Sequence, residues 1–280
     1  MRNLKEHFQD CCINTATLGF REPIGLVADR VAAAGFSKIT PWRQEIDENK
    51  PSQAASAIRS AGLQVSSYCR TTYLTASSEA ERLKSIDSNR RALEVAATLG
   101  ASTYVAVVGG LSDQSNDIDQ CRAQILKGLA DLIPMIEQTG VKILLEPLHP
   151  FYAADRSLLN TLSQAVDWCQ TLDPEGKCLG IALDVYHVWW DPDLRKSLVR
   201  AGKLIQAFHV CDWRRNTQEP LLDRMMMGDG VIDIPGIRAS VESLGYAGPV
   251  EVEIFSRDHW WKEDPDQVLK ICKERLESVC

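Results

Sequence analysis

The 280-residue sequence has no apolar run near the roughly 20 residues that cross a bilayer. Its first stretch, MRNLKEHFQDCCINTATLG, is charged and lacks the apolar segment of a secretory signal. We therefore expect a cytoplasmic protein with no membrane partner. Cations are not in excess, since 31 Lys and Arg face 38 Asp and Glu for a net charge of −7. Nucleic-acid surfaces need clustered cations, so a small-molecule partner is expected and no nucleic acid.

Paired cysteines and dinucleotide motifs are also missing. The nine cysteines include no Cys-x-x-Cys pair, and several lie beside or within apolar, strand-like segments. This pattern argues against a disulfide framework or a thiolate zinc site, so we interpret them as reduced core thiols. No Gly-x-Gly-x-x-Gly turn follows the first predicted strand, where an open sheet would bind a dinucleotide.

What the sequence does contain is a repeated alternation of short apolar runs and longer helical patterns. Runs such as STYVAVVGG, VKILLEP and CLGIALD are continuous rather than alternating, which is typical of parallel strands covered by helices. Gly35, Gly62, Gly100 and Gly140 each follow a helical pattern and precede a strand, as helix-terminating glycines do. Eight such units predict an α/β fold, with residues 1–280 forming a single (β/α)8 TIM barrel as one catalytic domain.

An ionisable residue closes each of four consecutive strands, the fifth to the eighth. These residues are Glu146, Asp184, His209 and Glu253. Active sites of such barrels lie at the C-terminal strand ends, so the four side chains should converge at the mouth. Three buried carboxylates repel one another unless a cation neutralises them. We predict one divalent metal ion, with Mn²⁺ preferred and Mg²⁺, Co²⁺ or Zn²⁺ as alternatives. Four separate strand-end ion pairs are the competing interpretation.

The segment VEVEIF places two glutamates on one face of the eighth strand, because side chains alternate along a strand. Glu253 lies nearer the mouth and is the predicted metal ligand. Glu251 would lie deeper in the barrel and would need a partner there, such as a cation from a neighbouring strand.

These segments resemble the xylose isomerase-like TIM-barrel superfamily, in particular its sugar isomerase and epimerase branch, which includes D-tagatose 3-epimerases and hydroxypyruvate isomerase-like proteins. LLEPLHP, ALDVYH and FHVCD are similar to the family's fifth, sixth and seventh strand segments. GDGVIDIPGIRASVESLGYAGPVEVEIF is similar to its last loop, helix and strand. The resemblance covers most of the chain and is strongest from residue 141 onward. It implies the same four metal ligands and a substrate-oxygen contact by His187.

The resemblance also implies a reaction on a small polyhydroxylated carbonyl compound, a sugar or keto-sugar. In this branch the metal binds the carbonyl and a neighbouring hydroxyl, and an enediolate forms when a proton is removed. Glu146 and Glu253 would be the catalytic acid and base, giving epimerisation or isomerisation. Loss of a leaving group from the same enediolate would instead give a lyase or dehydratase acting on a keto-sugar, keto-inositol or 3-keto-glycoside. Proteins of this family are commonly dimers, so the resemblance also implies a homo-oligomer.

Other polar residues near strand ends are candidates for substrate binding. His149 would contact substrate or cap its own loop. Arg43 and Arg70, at the second and third strand ends, would bind substrate hydroxyls or a phosphate, with ordinary ion pairing as the alternative. Asp212 is a further candidate, and orienting the loop or the surroundings of His209 is its alternative role.

Two other classes of function fit the sequence less well. DNA-repair endonucleases of the same superfamily use a trinuclear zinc cluster, which needs more histidines than the five present here. A non-catalytic sugar-binding barrel would be expected to have lost at least one ligand, and all four candidates are present. We therefore favour the isomerase or epimerase, with the lyase as the alternative.

Overall fold

The computed structural model describes residues 1–113 and 115–280 as a ring of strands surrounded by helices. The strands are β1 (Cys11–Asn14), β2 (Lys38–Thr40), β3 (Gln64–Val65), β4 (Ser67–Cys69), β5 (Thr103–Ala106), β6 (Lys142–Leu145), β7 (Leu179–Asp184), β8 (Ile205–Val210) and β9 (Val250–Val252). The α-helices are α1 (Ile24–Ala33), α2 (Pro51–Ser60), α3 (Glu79–Leu99), α4 (Ile118–Thr139), α5 (Leu162–Leu172), α6 (Val185–Val188), α7 (Leu194–Ala201), α8 (Ile234–Ser243) and α9 (Pro265–Ser278). Short 3₁₀ turns include Arg43–Glu45 and Pro150–Tyr152.

Neighbouring strands pair in parallel in the order β3-β2-β1-β9-β8-β7-β6-β5-β4. The third strand of the barrel is split, so that β3 pairs with β2 while β4 pairs with β5. Ser66, between the two segments, donates its backbone N–H to Ile39 O at 2.9 Å, and Cys69 N donates to Pro41 O at 3.1 Å. These bonds connect the third strand to β2 and to the residue after it and close the ring, and the predicted α/β fold, a (β/α)8 TIM barrel, is confirmed.

The two longest helices begin and end where local chemistry requires it. Ser78 caps α3 and Asp117 caps α4, each accepting backbone N–H groups of the first turn through its side chain. Gly100 and Gly140 end these helices with φ of 82° and 71°. Glycine adopts this left-handed conformation without steric cost, so both predicted helix ends are confirmed.

Among the described residues, buried apolar side chains form two main layers and a third small cluster of Val107, Leu148 and Tyr152. The larger layer lies between strands and helices and includes Val250, Val252 and Ile254. The smaller layer fills the barrel and consists of Ala16, Trp42, Cys69, Val105, Leu144, Ala182 and Ala207. Side chains alternate along a strand, so the residues two positions after Leu144, Ala182 and Ala207 also point inward, one layer nearer the mouth. The inner apolar layer is therefore the floor of the site.

All nine cysteines lie within the described residues, and every one is buried and unpaired. This agrees with their interpretation as reduced core thiols. Among the described helices, none is both long and apolar enough to cross a membrane.

Candidate metal centre

Four buried side chains meet at the C-terminal ends of β6, β7, β8 and β9. They are Glu146, Asp184, His209 and Glu253, and one ligand-type atom from each lies within 4.8 Å of the others. Asp184 and His209 are fully buried, while the two glutamates are no more than 5% exposed. The structure therefore brings the complete predicted ligand set to one point.

His209 occupies the centre of this cluster. Its Nδ1 lies 3.2 Å from Glu146 Oε1 and 3.9 Å from Glu253 Oε2, and its Nε2 lies 3.6 Å from Glu251 Oε1. No described residue forms a well-oriented hydrogen bond with either ring nitrogen or with Glu146 Oε1. Buried polar atoms without partners are rare, and an imidazole nitrogen facing two carboxylate oxygens suits a divalent cation. The residues present therefore fit a metal ion.

The concentration of buried charge shifts the pKa values of the cluster. Burial raises the pKa of Asp184 to about 6 and the pKa of Glu253 to about 7. Burial also disfavours the imidazolium of His209, but the surrounding carboxylates, led by Glu251, raise the pKa of this ring to about 10. Protons and a metal ion would therefore compete for the same atoms, and metal affinity should depend on pH.

A cation that is not among the predicted site residues lies against the cluster. Arg224, in the long loop between β8 and α8, is 3% exposed and donates from Nη1 to Asp184 Oδ2 at 2.9 Å and to Glu253 Oε2 at 3.1 Å. Its guanidinium carbon lies 4.4 Å from the ring centre of Tyr186 and 5.0 Å from that of Phe255. In the sequence, one feature points to Arg224, which is its position directly before a methionine run, RMMM. In the structure this run is largely buried.

Glu251 lies one layer deeper and is held by neutral donors. Asn14 Nδ2 donates to Glu251 Oε1 at 2.8 Å and to Glu253 Oε1 at 3.0 Å. Thr40 Oγ1 donates to Glu251 Oε2 at 2.8 Å, and Trp42 Nε1 fixes the amide by donating to Asn14 Oδ1 at 2.6 Å. The partners of Glu251 are therefore these hydrogen-bond donors and His209 on the neighbouring strand β8, whose Nε2 lies 3.6 Å from Glu251 Oε1 and which is the expected cation. Asn14 ends the first strand, but it is not ionisable, so the pattern of ionisable strand ends does not include it.

His187 lies at the edge of the cluster, three residues after Asp184. Its Nε2 is 3.7 Å from Asp184 Oδ2 and 3.2 Å from Arg224 Nη2, and its Nδ1 is 3.2 Å from the backbone N of His149. Burial, reinforced by the charge of Arg224, holds the pKa of His187 well below its usual range, so the ring is neutral. A neutral imidazole has one acceptor nitrogen and accepts from only one of these two N–H groups.

His149 is half-buried beside the cluster. Its Nδ1 accepts the backbone N–H of Phe151 at 3.1 Å, and its ring packs against Trp190 and Trp213. These contacts correspond to the loop-capping alternative, while its substrate contact stays a prediction.

Asp212 holds the two ends of the long loop together. Its Oδ1 accepts the backbone N–H groups of Trp213 at 2.8 Å and Ile232 at 2.9 Å. Its Oδ2 accepts those of Gly228 at 3.0 Å and Gly230 at 2.9 Å. A Cβ atom on Gly230 would lie 2.4 Å from Asp212 Oδ1, so this close approach requires glycine. The contacts support the loop-orienting alternative, and a role in substrate binding stays a prediction.

Two adjoining cavities lead to the cluster. The inner one is lined by Glu146, His187, Arg224 and Glu253 together with Leu148, Tyr152, Leu221 and other residues. The outer one has a volume of about 730 Å³, within the range of small-molecule sites, and Arg43 is among its lining residues. Both cavities share three lining residues, which are Trp42, Arg70 and Arg156. The predicted residues Arg43 and Arg70 therefore both lie on the approach to the cluster.

The sequence profile described as xylose isomerase-like TIM barrel matches residues 28–272. The chain belongs to the xylose isomerase-like TIM barrel family. Inosose isomerase of Bacillus licheniformis is 27% identical to it over 197 residues, which is 69% of this chain and 68% of that protein. L-ribulose-5-phosphate 3-epimerase UlaE of Salmonella typhi is 25% identical over 207 residues, which is 72% of this chain and 68% of that protein.

Solved structures share the fold. Protein SMc04130 from Sinorhizobium meliloti 1021 superposes with a TM-score of 0.93 at 44% identity, covering 97% of this chain and 98% of that chain. The IolI protein with a bound zinc atom superposes with a TM-score of 0.82 at 22% identity, covering 96% and 97%. The predicted family is confirmed. The relatives of this chain in sequence are sugar isomerases and epimerases, which supports an enzyme of that kind.

Proposed function

We propose that the protein is a divalent-metal-dependent sugar isomerase or epimerase that acts through an enediolate on a small polyhydroxylated carbonyl compound. The observation that carries this proposal is the convergence of four buried ligand-type atoms within 4.8 Å at the barrel mouth. The activities of the inosose isomerase and ribulose-phosphate epimerase relatives support a sugar or keto-sugar as substrate.

Glu146, Asp184, His209 and Glu253 would hold the ion, and this oxygen-rich set favours Mn²⁺. When bound, the ion would polarise the substrate carbonyl and neutralise the three carboxylates. Glu251 Oε1 lies 3.6 Å from His209 Nε2 and would accept the proton there, leaving Nδ1 free as the ligand atom. Asn14 and Thr40 keep Glu251 in that position. The acidic second layer thus sets the tautomer of the histidine.

Glu146 and Glu253 would also move the proton of the reaction. They follow β6 and β9, which are separated by two strands, so they flank the inner cavity from different sides. One glutamate would remove the proton beside the carbonyl, and the other would return it to the opposite face, giving epimerisation. Return to the adjacent carbon would give isomerisation. Arg224 and His187 line the same cavity and would stabilise negative charge on the substrate oxygens.

The test is a deuterium wash-in experiment with Mn²⁺-loaded protein in D₂O. Ketoses, keto-inositols and 3-keto-glycosides would be followed by NMR and mass spectrometry. Glu253→Gln is the site variant, and Glu137→Gln, an exposed residue of α4 with the same charge change, is the matched control. We expect deuterium beside the carbonyl with wild-type protein and Glu137→Gln, and at least a roughly 100-fold slower exchange with Glu253→Gln from the epimer whose proton Glu253 removes.

The products separate the two candidate reactions. An intact carbon skeleton with all its hydroxyl groups supports isomerisation or epimerisation. Release of water or an alcohol moves the assignment to a lyase or dehydratase acting on a keto-sugar. If no compound exchanges and the protein binds no metal, the proposal is wrong.

A further inference from the structure

Four arginines line the two cavities, and they differ in whether a carboxylate neutralises them. Arg43 pairs with Glu48 at 2.7 Å, and Arg224 pairs with two members of the acidic cluster. Arg70 and Arg156 form no ion pair with any described residue, although both line both cavities. Two half-buried cations at a shared cavity wall are therefore available to a ligand.

The surroundings of these two arginines orient them without neutralising them. The Arg70 guanidinium carbon lies 4.8 Å from the ring centre of Tyr73, and its Nη1 donates to Thr71 O at 3.2 Å. The Arg156 guanidinium carbon lies 5.9 Å from the ring centre of Tyr152. Aromatic faces attract guanidinium groups but leave their N–H donors free for planar, charged acceptors. The Tyr152 hydroxyl, also on the inner cavity, is buried and has no hydrogen-bond partner among the described residues.

The two arginines and the acidic cluster lie in different parts of the site, so positive and negative charges are separated along it. Glu146 and Glu253 lie on the inner cavity, and an anionic ligand group beside them would be repelled. Arg70 and Arg156 lie where the inner cavity adjoins the larger outer one, so an anion there is attracted by two cations. Arg43 does not add to this attraction, because Glu48 already balances its charge.

We infer that the substrate is an acidic sugar, with a phosphate or carboxylate group remote from its carbonyl, and that Arg70 and Arg156 bind this anionic group. The inference rests on the proposed function for the reaction at the other end of the substrate. It goes beyond that function by assigning the substrate a charge and a binding site for that charge.

The test measures anion binding without metal or turnover. Inorganic phosphate, D-glucuronate and neutral D-glucose would each be titrated calorimetrically into the metal-free protein. Arg70→Gln and Arg156→Gln are the site variants, and Arg195→Gln, an exposed residue of α7 with the same charge change, is the matched control. We expect phosphate or D-glucuronate to bind, about tenfold more weakly in either site variant, and no change with Arg195→Gln. Circular dichroism and thermal melts of all variants establish that each is folded.

Each possible result of the anion titrations leads to a different conclusion about the substrate. Binding of phosphate alone supports a sugar phosphate, binding of D-glucuronate alone supports a sugar acid, and binding of both supports the shared anion site. The inference is overturned if neither anion binds, if D-glucose binds as tightly, or if Arg195→Gln weakens binding as much as the site variants. With ketose phosphates and keto-sugar acids included in the deuterium wash-in panel, intact anion binding with no exchange on any sugar would count against the proposed function alone. Exchange confined to neutral sugars would count against the inference alone.

Discussion

The two halves of the barrel mouth differ in charge and in the hydrogen bonding of their polar side chains. The half formed by β6 to β9, the acidic half, contrasts with the half formed by β1 to β4, the support half, which ends in Asn14, Trp42, Arg43 and Arg70. In the support half, Asn14 has protein partners on both its amide atoms. In the acidic half, Glu146 Oε1 and both His209 nitrogens have none among the described residues. The difference indicates that Asn14 positions the glutamates of β9, whereas the acidic half leaves ligand-type atoms available to a metal ion.

The largest expected effect tests the proton transfer assigned to the acidic half. Glu146→Gln and Glu253→Gln should each lower product formation by about 10²- to 10⁴-fold, because each variant loses one of the two acid–base groups. Deuterium exchange should be retained with one epimer as substrate in Glu146→Gln and with the other epimer in Glu253→Gln. Each variant keeps the glutamate that removes the proton from that epimer. Product formation and deuterium content would be followed by NMR at matched metal occupancy. Activity within tenfold of wild type in both variants would contradict the assignment.

A second effect tests whether the acidic half binds metal at all. Asp184→Asn should weaken Mn²⁺ binding by at least about 100-fold, because it removes a charged ligand and leaves Arg224 with one carboxylate fewer. Chelator competition and metal analysis of the purified protein would measure the change. Asp29→Asn, an exposed residue of α1, is the control. Equal affinity in both variants would show that the cluster is a set of ion pairs.

A third effect tests the support half through pH. Glu45 accepts hydrogen bonds from Thr15 Oγ1 and from the backbone N of Trp42, but its Oε1 has no partner among the described residues. Burial raises the pKa of Glu45 to about 7, above the value of about 4.3 in an unfolded chain. The folded protein therefore holds a proton that the unfolded chain has lost, and stability decreases as the pH rises through 7.

Measured as the difference from Glu45→Gln, this decrease should be about 2 kcal/mol between pH 5 and pH 8, after allowance for partial exposure. Urea denaturation at each pH gives the free energies of unfolding. Subtracting the variant removes the contributions of the cysteines and histidines that the two proteins share. A difference independent of pH would show that Glu45 ionises normally.

The smallest effect tests the layer that joins the halves. Thr40→Val removes the hydroxyl that donates to Glu251 Oε2 and should cost about 1 to 2 kcal/mol in free energy of unfolding. Thr40→Ser keeps the hydroxyl and should cost less. Urea denaturation of both variants measures the difference. Equal losses would assign the effect to the packing of the methyl group.

The acidic half could be predicted from the sequence because it follows local rules. An apolar strand that ends in an ionisable residue identifies Glu146, Asp184, His209 and Glu253 without knowledge of any contact. Asn14 also ends its strand, but its side chain is a neutral amide, so a pattern of ionisable strand ends does not include it. The break at Ser66 in the third strand leaves no such mark, because its two segments are only two and three residues long.

The positions of Arg224 and Arg156 depend on tertiary structure instead. Arg224 reaches the cluster through a loop whose backbone is fixed by Arg224 N donating to Phe255 O at 2.9 Å. Arg156 is placed by a turn in which its N–H donates to Tyr152 O at 3.0 Å. Neither contact has a periodic sequence pattern, so the direction of these side chains follows only from the folded loops.

The hydrogen bonds of the Asp212 carboxylate affect how the stability of the protein depends on the length of the long loop. By bonding the N–H group of Gly230, Asp212 ties together positions 18 residues apart, as a crosslink would, in a protein whose cysteines are all unpaired. The entropy of closing a flexible loop grows only with the logarithm of its length, and doubling that length costs about 0.6 kcal/mol. Residues could therefore be inserted between Asp212 and Arg224 at little cost in stability, provided that Arg224 still reaches the barrel mouth. The number of residues in this loop can therefore vary as long as Asp212 still holds its two ends together.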